Sequence, residues 1–428
     1  MNQGLIDYIL RFLIQDDNFK QYDIISYGRK QIKKGLLIYQ ADFFDKGVYG
    51  EKASLPSLPL QMIEDVPVLF GEARIEENEM GIIIYADLIA SAYFLLSRYE
   101  EWIRSEVRDE HGRFPGRESL PYRAGILDRP VVDEYGKILR KYLRKLGYSV
   151  SKPEEGFASV TLSHDVDLPW TNYSFPGAVR RMLGSLRHQR KFILYPLMNF
   201  FHYCDWDPYN IFEEIIQKDQ GTRYKNVEVI FFTIAGVTET IKSSFDYLPS
   251  GAFRKILKII ERYNCQLGLH VSYEAGGDAS LIFKEKEKQE RITGKQVKAS
   301  RHHFLRTREL QDMQMLLKAG ITDDYTMTYA EVAGFRLGTA RKVQWIDPIN
   351  VELTSLVLHP LQIMDVTLNE PQYMNLSQQE AADYSKKIIN NTKRVHGDLC
   401  LLWHNTTLAA DYPYYTRELY GELLKELV

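Results

Sequence analysis

Residues 157–168, Phe-Ala-Ser-Val-Thr-Leu-Ser-His-Asp-Val-Asp-Leu, constrain the fold of this chain more than any other stretch. A β-branched apolar run that ends in two carboxylates reads as a buried strand carrying charge to the rim of a sheet, where α/β proteins hold their ligands. Side chains alternate along a strand, so Asp165 and Asp167 face one side while Val166 faces the other. Two carboxylates held that close share either a proton or a cation. Taken alone, the pair reads more readily as two solvated acids on a loop, and what turns the decision is a set of partners further along the chain.

Downstream of this strand, apolar runs and helical patterns alternate. Asp207-Pro208 is expected to cap a helix through about residue 219. Strands are expected at 227–234 and 266–272, and helices at 251–263 and 307–319, the last closed by Gly320. Apolar runs follow at 356–368 and 398–404, with a capping box, Ser377-Gln-Gln-Glu380, opening the helix between them. Such alternation argues for a parallel barrel or open sheet with its chemistry at the carboxyl ends of the strands.

Residues 1–150 read as a separate, smaller α+β unit, and residues 151–428 as the main α/β domain. The first unit opens with an amphipathic helix and offers short strands at 22–27, 35–39 and 81–85. A long helix begins near Asp87 with the apolar stripe Leu88, Ala92, Leu95, Leu96, Tyr99 and Ile103. A second helix starts after Arg129-Pro130. The loop between them, Asp109 to Arg117, is punctuated by Gly and Pro, and His111 reads as a surface residue of that loop.

Composition bounds the function. The chain has 428 residues, 45% hydrophobic and 26% charged, with a net charge of -3. It is long enough for two or three domains, and its charge does not suggest general nucleic-acid binding. Cys204, Cys265 and Cys400 are an odd number in dissimilar contexts, read as reduced core residues. The N-terminal stretch has no basic leader, and no apolar run approaches the roughly 20 residues of a membrane span. The expectation is a soluble, cytoplasmic protein. One basic segment (Arg180, Arg181, Arg187, His188, Arg190, Lys191) precedes an aromatic one at 192–201. It reads as a solvated helix pair or as a surface for an anionic membrane or an acidic glycan.

Further polar clusters fall at expected strand ends. They are Leu267-Gly-Leu-His270-Val-Ser-Tyr-Glu274, Ser300-Arg-His302-His303-Phe-Leu-Arg306, Asp323-Asp324-Tyr-Thr, Gly334-Phe-Arg336-Leu-Gly-Thr339, Ile363-Met-Asp365 and Leu401-Leu-Trp-His404-Asn405. His270 and Glu274 lie ~13 Å apart in extended chain, so they share an ion only if the backbone turns after Val271. Adjacent His302 and His303 face opposite ways on a strand, so one of them turns inward.

In their order these motifs resemble the polysaccharide deacetylases of carbohydrate esterase family 4, over about residues 157–405. The resemblance implies a distorted (β/α) barrel of about seven strands, preceded here by the smaller α+β domain. It also implies a metal-dependent hydrolase that removes acetyl groups from N- or O-acetylated sugars, in a setting such as bacterial surface-polysaccharide synthesis. It assigns Asp165 as catalytic base, Asp167 and His270 as metal ligands, Arg336 as the arginine that orients the base, and Asp365 and His404 as the pair that protonates the leaving group. Two positions depart from the family pattern. Glu274 stands where a second metal histidine is usual, and Leu337 follows Arg336 where a proline is usual. His303 is the expected replacement ligand, with Glu274 and His302 as rivals. The implied cofactor is a divalent metal, zinc ahead of cobalt, manganese or nickel, and the implied partner an acetylated glycan or sugar precursor. An amidohydrolase acting on a non-sugar carbon-nitrogen bond and a catalytically silent carbohydrate-binding relative are the alternatives.

Overall fold

The protein is seen in a computed structural model that describes residues 1–31, 33–171, 177–180, 182–183, 197–198, 201, 205, 207–236 and 246–428. In chain order, the strands among these are β1 (Ile25–Gly28), β2 (Gly35–Tyr39), β3 (Gln61–Ile63), β4 (Val66–Val68), β5 (Gly71–Asn78), β6 (Gly81–Ala86), β7 (Ser159–Val166), β8 (Val227–Ile234), β9 (Gln266–Val271), β10 (Ala299–His302), β11 (Asp323–Met327), β12 (Val343–Asp347), β13 (Glu352–Pro360), β14 (Ile363–Met364) and β15 (Asp398–Leu402).

The first six strands stay among themselves. A four-stranded sheet runs in the order β1-β2-β6-β5, with β5 antiparallel to β6, and β3 and β4 form an antiparallel pair. The edge strand β5 has no apolar periodicity; it is a charged ribbon on which Arg74 bonds Glu72 and Glu76. Charge of this kind blunts an exposed edge, and it also hides the strand from a hydrophobic pattern search.

The remaining strands form one sheet in the order β12-β13-β11-β10-β9-β8-β7-β15-β14, parallel throughout except for β12. Strands β8 and β15 are nearly continuous apolar runs, as expected of parallel strands buried on both faces, and β7 is buried from Val160 to Val166 although polar side chains interrupt it. Helix Phe212–Gln220 packs on β8, helix Ala279–Thr293 on β9, and helix Gln378–Arg394 on β15. The expected barrel is not closed by a ladder: the sheet has two ends, β12 and β14. Residues 352–364 supply strands on both sides of that gap, pairing with β11 through Val357, Leu358 and Pro360 and with β15 through Ile363 and Met364. Between the two pairings the chain turns at Leu361-Gln362, and the Gln362 side chain accepts from Cys400 N and donates to Asp398 O.

The two sheets share no ladder, but one apolar core runs through both, from Leu5 to Leu427. Helix Leu88–Leu96 packs against β12, and Asp133 of helix Val131–Lys145 holds Thr339, Ala340 N and Arg341. Gly338 sits at this contact with φ +64°, where an added Cβ would meet the Leu95 side chain at 2.7 Å. That close approach accounts for the glycine at 338.

Several element expectations need correction. The stripe 88–103 is two helices, Leu88–Leu96 and Tyr99–Ile103, because Arg98 turns left-handed at φ 60° and swings its buried guanidinium onto Glu101. Asp207 does not cap the next helix, which begins at Phe212; it closes a turn by accepting from Thr171 and Tyr209. The helix expected at 307–319 begins only at Gln311, since residues before it are held in a loop by Asp312. His111 is not a free surface residue, because its ring meets Tyr273 and Phe304. Cys265 and Cys400 are buried free thiols, while Cys204, Arg181, Arg187, His188, Arg190, Lys191 and residues 192–196 lie outside the described residues. Among the described residues no helix is long and apolar enough to cross a membrane.

A buried ion cluster joins the two halves. Arg336 donates through Nε and Nη2 to Glu101 at 2.9 and 2.8 Å, and Arg98 donates to the same carboxylate. Burial pushes Glu101 upward in pKa, but Arg336 and then Arg98 outweigh it and hold the group at about 2. A depressed folded pKa contributes stability that is complete above the ordinary carboxylate range and fades as pH falls toward about 2. Glu101→Gln should therefore cost about 3–5 kcal/mol near neutral pH, because it strands two buried cations. In urea titrations the deficit should shrink as pH drops below the ordinary carboxylate range; a deficit that does not change with pH would contradict this role.

Candidate functional site

The carboxyl ends of β7, β9, β10, β14 and β15 meet at one cleft of 280 Å³, lined by Asp165, Asp167, His270, His303, Met364 and His404 among others. Asp165 lies within β7 and Asp167 one residue past its end, with Val166 pointing into the core between them. His270 is the penultimate residue of β9, paired in register with Arg301 of β10. Its Nδ1 donates to the Arg301 carbonyl at 3.0 Å, which fixes the tautomer and leaves the Nε2 lone pair facing the cleft.

At the end of β10 the two histidines part. His302 faces Thr326 and Asp324, with Nδ1 3.4 Å from Thr326 Oγ1. His303, the first residue beyond the strand, turns inward, and its Nε2 stands 3.6 Å from Asp167 Oδ1. His270 Nε2 stands 3.2 Å from the same oxygen. Ligand atoms of Asp167, His270 and His303 lie within 4.8 Å of one another, and among the described residues no other group of acids, histidines and cysteines does so. The rivals Glu274 and His302 are outside that group; the charge of Glu274 is felt instead by Glu285 and Arg306.

The donor set fits a divalent ion. Asp167 Oδ1, the oxygen both imidazoles face, is sealed from solvent with no hydrogen bond of acceptable geometry, the cost of which is about 1–3 kcal/mol. Donors ~2.0–2.1 Å from a tetrahedral ion stand ~3.3 Å apart, close to the separations that Asp167 Oδ1 already keeps from the two imidazoles. One carboxylate and two imidazoles also leave coordination positions open, as hydrolytic metals require.

Two further pairs flank the trio. Asp165 receives Nη1 of Arg301 at 2.8 Å, and the same fully buried guanidinium reaches Ser163 Oγ at 2.9 Å and Tyr325 O at 3.0 Å. Burial raises the Asp165 pKa, but the Arg301 charge, followed by His270 and His404, brings it below the usual carboxylate value. Asp167 is likewise raised by burial and carried well below its usual value by His303 and His270. Asp365, buried at the start of helix Asp365–Asn369, accepts His404 N at 2.8 Å and Nδ1 at 2.9 Å, and Thr407 Oγ1 as well. Burial draws the His404 imidazole down, yet Asp365 and then Asp167 and Asp165 raise it to about 10.

One expected residue stands elsewhere. Arg336 does not reach Asp165; it is committed to Glu101 and to Thr328 O, and Arg301 holds the position beside the base. Sequence reasoning missed Arg301 although a signal existed. The alternation that turns His303 inward also turns inward the residue two before it. Arg113, which comes from the first unit to line the cleft, carried no local signal.

A model described as a family of unknown function (DUF7033) matches residues 4–148. No curated protein matches the chain. Among solved structures, a proposed polysaccharide deacetylase from Mycobacterium smegmatis is similar at 14% identity with a TM-score of 0.39, covering 64% of this chain and 86% of its own. A mutant of a CE4 family pseudoenzyme with restored enzymatic activity is similar at 12% identity with a TM-score of 0.30, covering 67% of this chain and 68% of its own. At these scores neither likeness carries weight, and the site stands on its own geometry.

Metal uptake checks that geometry. Protein stripped with chelator and reloaded should take up one equivalent of zinc by elemental analysis, and a His270→Ala, His303→Ala double variant should take up none. Glu274→Ala should load like wild type, and its failure to load would move the ligand set.

Proposed function

We propose that the chain is a metal-dependent hydrolase that releases acetyl groups from acetylated sugars. The observation that carries this reading is the gathering of Asp167, His270 and His303 between an ionised Asp165 and a protonatable His404. The resemblance of the strand-end motifs to carbohydrate esterase family 4 supplies the substrate class. A divalent ion, zinc first and cobalt, manganese or nickel after it, would supply Lewis acidity toward the acyl carbonyl and make water a stronger acid.

The chain's own groups account for the proton traffic. Asp165, kept ionised by Arg301, takes a proton from water as its oxygen bonds to the acyl carbon. His404 enters the reaction protonated, with Asp365 holding Nδ1 and leaving Nε2 toward the cleft. As the bond from acyl carbon to sugar nitrogen or oxygen breaks, His404 gives its proton to the departing atom, so acetate and a free amine or hydroxyl result. Tyr373, Tyr412 and Met364 on the cleft wall offer flat and apolar surface for a sugar ring. On this reading residues 151–428 carry the chemistry, and residues 1–150 support it.

Acetate release from an N-acetylhexosamine oligomer is the direct test. Asp165→Asn should keep its zinc while losing about 10²–10⁴-fold in rate. Turnover of a non-sugar amide with no acetate from any acetylated glycan would replace the sugar substrate. Zinc-loaded wild type inert toward both would mark a silent relative.

A further inference from the structure

The segment that follows His303 does not hold its shape unaided. Phe304 and Leu305 both lie in the left-handed region, at φ 59° and 51°. Bulky L-residues stay there only when their surroundings hold them. What holds them comes from the other end of the chain. Arg113 donates through Nη1 to Phe304 O at 2.7 Å and through Nε to Asp109 Oδ2 at 2.7 Å. Asp109 Oδ1 accepts from the backbone N–H of His111 and of Arg113, closing the turn that aims the guanidinium.

Contacts on either side repeat the pattern. Arg306 Nε donates to His111 O at 2.9 Å, and the His111 ring meets Phe304 edge-on at 5.0 Å. Arg108 Nε donates to Arg308 O at 2.9 Å, and Arg98 Nη2 to Thr307 Oγ1 at 3.3 Å. The stretch 303–308 therefore lies against the first unit along its length. Arg113 itself is only 9% exposed and lines the same cleft as the acids and imidazoles.

We infer that the first unit is a working part of the metal centre: Arg113 clamps the Phe304 carbonyl and so fixes the left-handed turn that aims His303 at Asp167. The inference rests on the reading of Asp167, His270 and His303 as metal ligands. Arg113 is a positioning residue that acts through the backbone of its neighbour. Without it, Phe304 O and the Asp109 carboxylate lose a buried partner, and the turn is free to relax and carry the imidazole away. Groups that support a metal ligand from behind change affinity about 10- to 100-fold when removed.

The test uses full-length protein and two readouts. Zinc affinity is measured by chelator competition, and hydrogen exchange of amides 303–308 by mass spectrometry in zinc-free protein. Arg113→Ala should weaken zinc about 10- to 100-fold and speed exchange across 303–308, while amides of β8 and β15 exchange as they do in the surface control Arg29→Ala. Arg113→Lys, which keeps the charge opposite Asp109 but loses the planar fork, should fall between, and it carries the comparison if the alanine variant does not fold. Wild-type zinc affinity or unchanged exchange in these variants overturns the clamp. Wild type that takes up no zinc, with faster exchange in Arg113→Ala, leaves the clamp standing and removes the metal reading; no zinc and unchanged exchange removes both.

Discussion

The site depends on keeping a carboxylate charged where water barely reaches. Asp165 is 3% exposed and Arg301 fully buried, and the pair meets at 2.8 Å. Desolvation alone would neutralise such an acid, and an unpaired guanidinium at that depth would be costlier still. The structure resolves both by giving Arg301 three acceptors, Asp165 and Ser163 Oγ from β7 and Tyr325 O from β11. The Arg301 backbone carbonyl also fixes the His270 tautomer. One residue of β10 thus sets the charge of the base and the direction of a ligand, and the parallel register of β7 to β10 brings its partners within reach.

A second layer of buried charge ties the two halves into one object. Arg336 and Arg98 converge on Glu101, Asp133 gathers Thr339, Ala340 and Arg341, and Arg113 crosses to Phe304. The contacts of Glu101 with Arg336, of Asp133 with residues 339–341 and of Arg113 with Phe304 span elements far apart in sequence, so each is lost whole if either half shifts. Buried ion pairs add little net stability over apolar packing, but breaking one partner is expensive. Their effect here is to specify a single docking of the first unit, and that docking passes beside His303.

Much of this was legible from residue pattern and much was not. Strand β8 and the capping box at Ser377 follow from local chemistry, an apolar run in one case and two reciprocal hydrogen bonds in the other. That one of His302 and His303 turns inward follows from strand alternation, while the choice of His303 depends on the turn beyond the strand. By contrast, β5 is written in charges, and helix Ala279–Thr293 is polar on most of its surface, so neither has the periodicity that marks a core face. The helix break at Arg98 and the pairing of Arg336 with Glu101 are long-range: the cost of a left-handed arginine is met by a carboxylate three residues on and a guanidinium far down the chain. No local window holds that information, which is why the base was matched with the wrong arginine. The open sheet has the same origin, since whether residues 352–364 close a ladder depends on the turn at Leu361-Gln362 rather than on strand propensity.

The claim at the centre is that one carboxylate and two imidazoles from three strand ends converge on a single cation. An anomalous-difference map at the zinc absorption edge, collected on crystals of the zinc-loaded full-length protein, tests it most directly. The account predicts one peak bonded to Asp167, His270 and His303, with Asp165 beside it and outside the coordination shell. A peak bound by Glu274 or His302, or no ordered peak in the cleft, would contradict it.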